Sequence, residues 1–130
     1  MLEDASGQAV IGYRAPSFSF NDTNTWAYES LAELGFKYSS STYPIEHDLY
    51  GVPHWPRFKY QRDKGIIEIP IPTIRKDSTN TGIGGGGYFR LYPYWLSKKR
   101  IDKFHQQDKQ PYSFYFHIQI DIYQRKLLRL

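Results

Sequence analysis

Arg14 is the residue of this sequence whose setting best fits a binding or catalytic side chain. It lies in Gly12–Ser19, which reads Gly-Tyr-Arg-Ala-Pro-Ser-Phe-Ser, directly after the apolar run Ala9–Ile11 that predicts a buried strand. Ligands of α/β proteins bind where strands end, so an arginine in a Pro-containing loop at that point is expected to face a substrate. The alternative is a surface arginine that pairs with a carboxylate, the commoner arrangement for an arbitrary arginine.

A second polar side chain, His117, comes at the end of a predicted final strand, Ser113–His117. The ends of strands in an α/β sheet share one rim, so we expect Arg14 and His117 to lie near each other. An imidazole titrates near neutral pH and can act as a general acid, whereas a guanidinium stays charged and can only orient or stabilise an anion. The alternative for His117 is a structural histidine that bonds to backbone.

The remaining chemical groups form no recognisable metal or nucleotide site. The sequence has no cysteine, and His47, His54 and His105 lack the spacing of a helical metal pair. The glycine run Gly82–Gly87 lacks the Lys-Ser/Thr of a P-loop, and no predicted strand directly precedes it. We therefore predict no metal site within this chain and expect the glycines to let backbone approach a bulky substrate, or simply to turn.

The composition limits the chain to one folded unit. Its 130 residues and 15.4 kDa are the size of one domain or a piece of one, and 40% hydrophobic residues supply enough apolar surface to fold. The twelve tyrosines suit contact with sugar rings, although they serve equally as core or interface residues. The net charge of +4 comes without a recognisable nucleic-acid-binding module, so we predict no nucleic-acid partner.

The sequence shows no targeting segment. Met1–Asp4 is acidic where a signal peptide would be basic, and no stretch approaches the roughly 18 apolar residues of a membrane span. We therefore predict no signal peptide and no membrane span. A cytoplasmic location is permitted, and the compartment stays open because no disulfide framework indicates an oxidising one.

The first third of the sequence predicts a strand-helix-strand unit. The predicted elements are a strand over 8–13, a helix over 25–34 with N-cap candidates at 21–24, and a strand over 36–38. Gly35 is placed to stop the helix, and its predicted buried face is Ala27, Leu31 and Leu34, with Trp26 beside them. The length of the connection favours a right-handed parallel crossover, and hence an α/β fold, layered or barrel.

The middle of the sequence predicts an irregular segment. It contains Pro44, Pro53, Pro56, Pro70 and Pro72, with one predicted strand at Ile66–Ile69. Long irregular connections in compact domains usually shape a binding surface, so we expect this segment to wall a groove. Beyond it, Tyr94 to about Phe104 predicts a helix with Trp95, Ile101 and Phe104 as its buried side.

Five segments in this order are together similar to one protein family. They are Gly12–Ser19, Leu34–Ser41, Tyr43–Gly51, Gly85–Arg90 and Phe114–His117. On these motifs, from about residue 2 to residue 125, the chain resembles the polysaccharide deacetylase (NodB-homology) family, in particular the subgroup found with bacterial exopolysaccharide loci. The resemblance implies a partial, distorted (β/α) barrel and metal-dependent hydrolysis of N- or O-acetyl groups on a bacterial polysaccharide, commonly with zinc.

The resemblance also implies roles for single residues. Arg14 would orient the catalytic aspartate, and His117 would protonate the leaving amine or alkoxide. The residues implied to bind substrate are Tyr38, Ser40, Ser41, Tyr88 and Arg90.

Two motifs of that family are missing from this sequence. Neither the Thr-Phe-Asp-Asp segment, which supplies the base and one metal ligand, nor the His-x-x-x-His segment is present. The resemblance therefore implies that residues 1–130 are the C-terminal portion of a single deacetylase domain, without metal ligands and with negligible activity alone. Ser39 replaces an Asp usual in relatives, and Ile118–Ile120 replaces their Pro-Trp-Glu, so we interpret residues 117–130 as an aberrant tail.

Three interpretations of function stay open at this point. The chain is a fragment of a carbon-nitrogen (non-peptide) bond hydrolase that acts on acetylated polysaccharide with its missing N-terminal half. Alternatively it is a non-catalytic glycan-binding or scaffold module, whose binding would survive EDTA and Arg14→Ala, or half of a split enzyme. Half a barrel leaves open sheet edges and uncovered apolar surface, so self-association or poor solubility is also predicted.

Overall fold

The computed structural model describes residues 2–48 and 50–116 and has a mixed α/β architecture, as the sequence predicts. The helices and strands are α1 (Leu2–Ser6), β1 (Gly12–Tyr13), α2 (Trp26–Glu33), β2 (Tyr38–Ser39), β3 (Tyr60–Gln61), β4 (Ile67–Glu68), β5 (Thr73–Lys76), β6 (Thr79–Gly82), α3 (Gly86–Leu91) and α4 (Tyr94–Asp108). Two 3-10 turns lie at Pro16–Phe18 and Asp63–Gly65. No helix of this described part is long and apolar enough to cross a lipid bilayer.

The main sheet contains four strands in the order β1-β2-β4-β3. Strands β1, β2 and β4 are parallel, which confirms the predicted parallel crossover through α2, whereas β3 runs antiparallel to β4 at the edge. The hairpin β5–β6 forms a separate sheet. Within the described ranges the strands therefore form an open sheet beside a hairpin, and no closed barrel is found there.

The packed face of helix α2 includes Leu31 and, partly buried, Ala27, as predicted, but differs from the prediction at Leu34 and Trp26. Its buried side chains are Tyr28 and Leu31, whereas Leu34 is 75% exposed and Trp26 is 67% exposed. The prediction for Leu34 and Trp26 was wrong because the helix ends at Glu33 and because Tyr28, a polar aromatic residue, occupies the inner face. Gly35 follows the helix with φ +85°, in agreement with its predicted role as the stop.

The middle of the chain is more regular than predicted. Strands β5 and β6 pair from Thr73↔Gly82 to Lys76↔Thr79, so the loop between them is two residues long. Asp77 takes φ +55° in that loop, as tight hairpin turns require. The expectation that no strand directly precedes the glycine run was wrong, because β6 ends at Gly82. The strand was not predictable from apolar alternation, which its sequence lacks, because its pairing with β5 stabilises it.

The C-terminal part of the described chain corrects two further predictions. Helix α4 buries Ser97 and Phe104, whereas Trp95 is 66% exposed. At 100° per residue, Trp95 points about 180° away from Phe104, so the two cannot share a face. Residues 113–116 form no strand; Tyr115 instead accepts a hydrogen bond from the Gly86 amide (2.8 Å). His117 and the interpreted tail, residues 117–130, lie outside the described residues.

Candidate functional site

A line of hydrogen bonds crosses the ends of the three parallel strands. The Arg14 guanidinium, just after β1, donates to Ser40 Oγ (3.0 Å), which lies just after β2. Ser40 Oγ in turn donates to the carbonyl of Ile69 (2.7 Å), just after β4. The sheet topology thus brings together polar groups that are far apart in sequence, at the sheet edge where α/β proteins bind ligands.

The loop that carries Arg14 is held at its base by serines of the β2 end. The amide of Ala15 donates to Ser41 Oγ (2.9 Å), and Ser39 Oγ donates to the same atom (2.8 Å). Beyond Ala15, Ser17 and Phe18 take φ values of +54° and +50°, a left-handed conformation uncommon for residues other than glycine. Such conformations persist where the surroundings enforce them and are frequent at binding sites.

Aromatic rings flank the guanidinium of Arg14. Its carbon Cζ lies 4.8 Å from the ring centroid of Tyr115 and 5.6 Å from that of Phe18. Partial burial lowers the pKa of Arg14 from its ordinary value, although an arginine remains cationic in proteins. No carboxylate of the described ranges forms an ion pair with Arg14, so the surface ion pair considered from the sequence is not found there.

Arg14 lies in a cleft of about 620 Å³. It is lined by the loop Arg14–Phe18 and by Tyr50 and Tyr115, and we call it the Arg14 cleft. A second cleft of about 390 Å³ shares Phe18, Tyr50 and Tyr115 with the first and adds Tyr43, Tyr88 and the glycine run. The two clefts therefore adjoin each other along these three aromatic residues, and we call them together the groove.

The glycine run positions one of these aromatic walls. A side chain at Gly85, whose φ is +99°, would collide with the ring of Tyr115. The Gly86 amide binds the carbonyl of the same tyrosine, so the run both admits Tyr115 and holds it beside Arg14. The backbone of the run thus approaches a bulky ring of the protein itself, whereas its approach to a bulky substrate stays a prediction.

Tyr50, which lines both clefts, is held by stacked rings. Its ring lies 3.9 Å from that of His47 and 6.3 Å from that of Tyr43, with interplanar angles of 10° and 7°. The Pro-rich middle of the chain therefore contributes to the wall of the groove, as the sequence predicts.

Residues 40–129 match the model of a protein family described as Domain of unknown function (DUF3473). The chain belongs to this family. DUF3473 is a domain family associated with polysaccharide deacetylases. The comparisons with curated proteins and with solved structures found no match.

The matched range of the DUF3473 domain includes Tyr50, Tyr115 and the serines after β2, whereas Arg14 and Phe18 precede it. The groove is therefore built jointly by the DUF3473 segment and by the loop before it. This arrangement depends on the parallel pairing of β1 with β2.

The structure brings together some of the residues that the sequence singled out. Arg14, Ser40 and Ser41 meet at the sheet edge, although both serines are buried and act through Arg14 and its loop. Tyr88 lines the second cleft. Tyr38 is 40% exposed, with its ring over Gly12, and is not a wall of either cleft; nor is Arg90, near the end of α3. The position of His117 is not described.

The described residues do not fit the metal that the resemblance implies. Within residues 2–48 and 50–116, no group of three or more His, Asp, Glu or Cys side chains is placed to ligate a metal ion. The donors that face the groove are a guanidinium and phenols, and a cationic guanidinium does not ligate a metal cation. No step that involves a metal is therefore assigned to these residues.

Sequence reasoning missed four residues of this region. Phe18, Tyr50 and Tyr115 lie within the motifs that carry the resemblance, but their ring positions depend on tertiary contacts. The fourth is Glu68, a fully buried carboxylate that accepts hydrogen bonds from the residues after β2. A signal for it was present, because an acidic residue between Ile67 and Ile69 is unusual in a buried strand.

Proposed function

We propose that this chain binds acetylated polysaccharide and forms the substrate-binding side of a polysaccharide deacetylase active site. The observation that carries the proposal is the setting of Arg14, a guanidinium at the wall of an aromatic cleft without a paired carboxylate in the described ranges. It donates one hydrogen bond there, to Ser40, out of the five that a guanidinium can make.

The chemistry of the cleft matches that of an acetylated sugar. A pyranose ring presents an apolar C–H face that packs on Tyr and Phe rings, and its acetyl group presents a carbonyl oxygen that accepts hydrogen bonds. Phe18, Tyr50 and Tyr115 supply the rings, and Arg14 supplies the donors. In this proposal Arg14 binds the acetyl carbonyl while the rings hold the sugar, a role that differs from the orientation of a catalytic aspartate that the resemblance implies.

The adjacency of the two clefts supports a polymer as the ligand. The second cleft extends the aromatic walls beyond Arg14 toward Tyr88. We therefore expect neighbouring sugar units to bind there, so that longer oligosaccharides bind more tightly than a single sugar.

Hydrolysis is the part of the proposal that depends on other residues. The resemblance assigns the base to motifs that this sequence lacks and assigns the acid to His117. For that reason the proposal gives the described residues binding and orientation of the substrate, and it expects negligible deacetylase activity from this polypeptide alone.

A glycan-binding module without hydrolytic function is the second candidate. It is favoured by the groove itself, whose rings can bind sugars without any catalytic group. The two candidates differ in what they require of the acetyl group and of Arg14, because a general sugar groove needs neither.

Calorimetric titration of the purified chain would test the proposal. The ligands are chitin and chitosan oligosaccharides of matched length, and O-acetylated alginate oligosaccharides before and after saponification. We expect the acetylated member of at least one pair to bind about tenfold more tightly, because each acetyl carbonyl offers Arg14 a charge-assisted hydrogen bond. Equal affinity within both pairs would support the second candidate, and no binding of any ligand would refute both.

A further inference from the structure

Glu68 is buried, which is energetically unfavourable for a carboxylate side chain. Its side chain is fully buried (0% exposed) in β4, between two isoleucines. Glutamate is among the residues least often buried, because loss of hydration is unfavourable unless hydrogen bonds replace it. The hydrogen bonds of Glu68 should therefore show what the residue contributes.

Those hydrogen bonds converge on the backbone just after β2. Oε1 accepts from the amides of Ser41 (2.8 Å) and Thr42 (3.0 Å) and from the hydroxyl of Thr42 (2.9 Å). Oε2 accepts from the hydroxyl of Tyr28 on α2 (3.1 Å). Backbone amides can only donate, so Oε1 must act as an acceptor here.

The backbone held by Glu68 is the backbone that holds the Arg14 loop. Ser41, whose amide binds Glu68, accepts the Ala15 amide through its side chain. Ser40, the preceding residue, accepts the guanidinium of Arg14 and donates to the carbonyl of Ile69, the residue that follows Glu68 in sequence. Two hydrogen bonds thus connect the Arg14 guanidinium with Ile69, just after β4, and two connect the Ala15 amide with Glu68 in β4.

We propose that Glu68 is the positioning residue for Arg14, acting through Ser40 and Ser41. By fixing the peptide between the two serines and the next peptide, it sets where both hydroxyls point. The guanidinium is then held against Tyr115 at the cleft wall, and within the described ranges only one of its donors is used, by Ser40. The consequence for ligand binding rests on the proposed function, whereas the consequence for the guanidinium does not.

Three variants of Glu68 separate positioning from other roles. Glu68→Ala removes all four hydrogen bonds, and Glu68→Asp keeps the charge but is one methylene too short to bridge the same groups. Glu68→Gln keeps Oε1 for its three donors and should preserve the arrangement. Asp108→Ala is the matched control, because Asp108 is also a largely buried carboxylate but binds Arg57, away from the cleft.

The first readout is NMR of the arginine side chains in the full chain, labelled with ¹⁵N and assigned with Arg14→Lys. We expect slow rotation of the guanidinium about its Cζ–Nε bond at Arg14, whose Nη2 binds Ser40, in the wild type, Glu68→Gln and Asp108→Ala. Glu68→Ala and Glu68→Asp should both speed that rotation. Unchanged Arg14 signals in Glu68→Asp, or equal changes in Asp108→Ala, would overturn the proposal; Glu68→Asp decides it if Glu68→Ala does not fold.

The second readout is a double-mutant cycle on oligosaccharide affinity, with the acetylated ligand that the wild type binds. Glu68→Ala should weaken binding about tenfold in the wild-type background and less than about twofold in the Arg14→Ala background, because coupled residues are not additive. Equal weakening in both backgrounds would show that Glu68 acts without Arg14. Failure of the wild type to bind any acetylated ligand would refute the proposed function, while the NMR readout would still decide the role of Glu68.

Discussion

Arg14 and Arg57 have similar aromatic neighbours but different polar partners. Each guanidinium lies over an aromatic ring, Arg14 over Tyr115 at 4.8 Å and Arg57 over Phe58 at 4.9 Å. Arg57, however, binds both carboxylate oxygens of Asp108 (3.1 and 2.9 Å) and donates twice more to Thr73. Its charge is neutralised and four of its five donors are used.

Arg14 lacks these partners within the described ranges. It donates to one serine hydroxyl there, and neutral rings supply the rest of its contacts. Residue type alone therefore does not decide whether an arginine stabilises the fold or binds a ligand. Its partner decides this, because a bidentate carboxylate uses the donors that a ligand would otherwise need.

Loss of the carboxylate that pairs with Arg57 should destabilise the fold. Asp108→Ala should lower the free energy of unfolding by about 3 kcal/mol, because it leaves a largely buried arginine without its partner. Oligosaccharide affinity of the folded protein should stay the same. Urea denaturation and calorimetric titration measure the two effects.

Asp102→Ala is the matched control on the same helix. Asp102 pairs with Lys98 at 2.6 Å, but both side chains are at least half exposed, so its loss should lower the free energy of unfolding only slightly. If Asp108→Ala lowered the free energy of unfolding no more than this control does, the ion pair between Arg57 and Asp108 would not stabilise the fold.

Loss of the Arg14 guanidinium should weaken ligand binding. Arg14→Ala should weaken binding of the acetylated oligosaccharide about thirtyfold, since a hydrogen bond to a charged donor contributes about 2 kcal/mol. Arg14→Lys should lie between, because it keeps the charge but loses the planar group that stacks on Tyr115. Titration measures both variants, and unchanged affinity in Arg14→Ala would favour the general sugar-binding module.

A carboxylate placed beside Arg14 should compete with the ligand for the guanidinium donors. Ser17 lines the Arg14 cleft and has φ +54°, a conformation that Asp and Asn tolerate. Ser17→Asp should weaken binding about tenfold by occupying guanidinium donors, and added salt should reduce the loss. Ser17→Asn is the isosteric control without charge, and equal affinities of the two variants at low salt would contradict the prediction.

The smallest effect concerns the tyrosines beside the two arginine sites. Burial raises the pKa of Tyr112, next to the pocket of Arg57, to about 12. Burial also raises the pKa of Tyr115, but the charge of Arg14 opposes the rise because a cation stabilises the phenolate. Arg14→Ala should therefore raise the pKa of Tyr115 further and leave that of Tyr112 unchanged.

Titration of ¹³Cζ-labelled tyrosines by NMR measures this difference. The folded-state pKa of Tyr112 lies above its ordinary value of 10.0. Its contribution to stability is therefore complete below pH 10 and is lost as the pH rises toward 12. A Tyr115 pKa that does not move in Arg14→Ala would contradict the placement of the guanidinium over that ring.

Local patterns in the sequence were enough to predict the first strand-helix-strand unit. The helical segment ended by Gly35 and the crossover length were local signals, and the structure pairs β1 and β2 in parallel. The buried strand predicted from the apolar run Ala9–Ile11 was wrong, because β1 begins only at Gly12 and Ile11 is 47% exposed. Local signals failed where long-range contacts prevail. The hairpin β5–β6 has no apolar alternation, and the phase of α4 is set by the packing of Phe104 rather than by Trp95.

The α/β class, the position of the Arg14 loop after a strand and the resemblance to polysaccharide deacetylases could all be inferred from the sequence alone. Only the tertiary structure decided which groups surround Arg14, because Ser40, Tyr50 and Tyr115 reach it from distant segments. It also decided that Glu68 faces inward toward those segments, since the burial of a carboxylate depends on partners that no local pattern reveals.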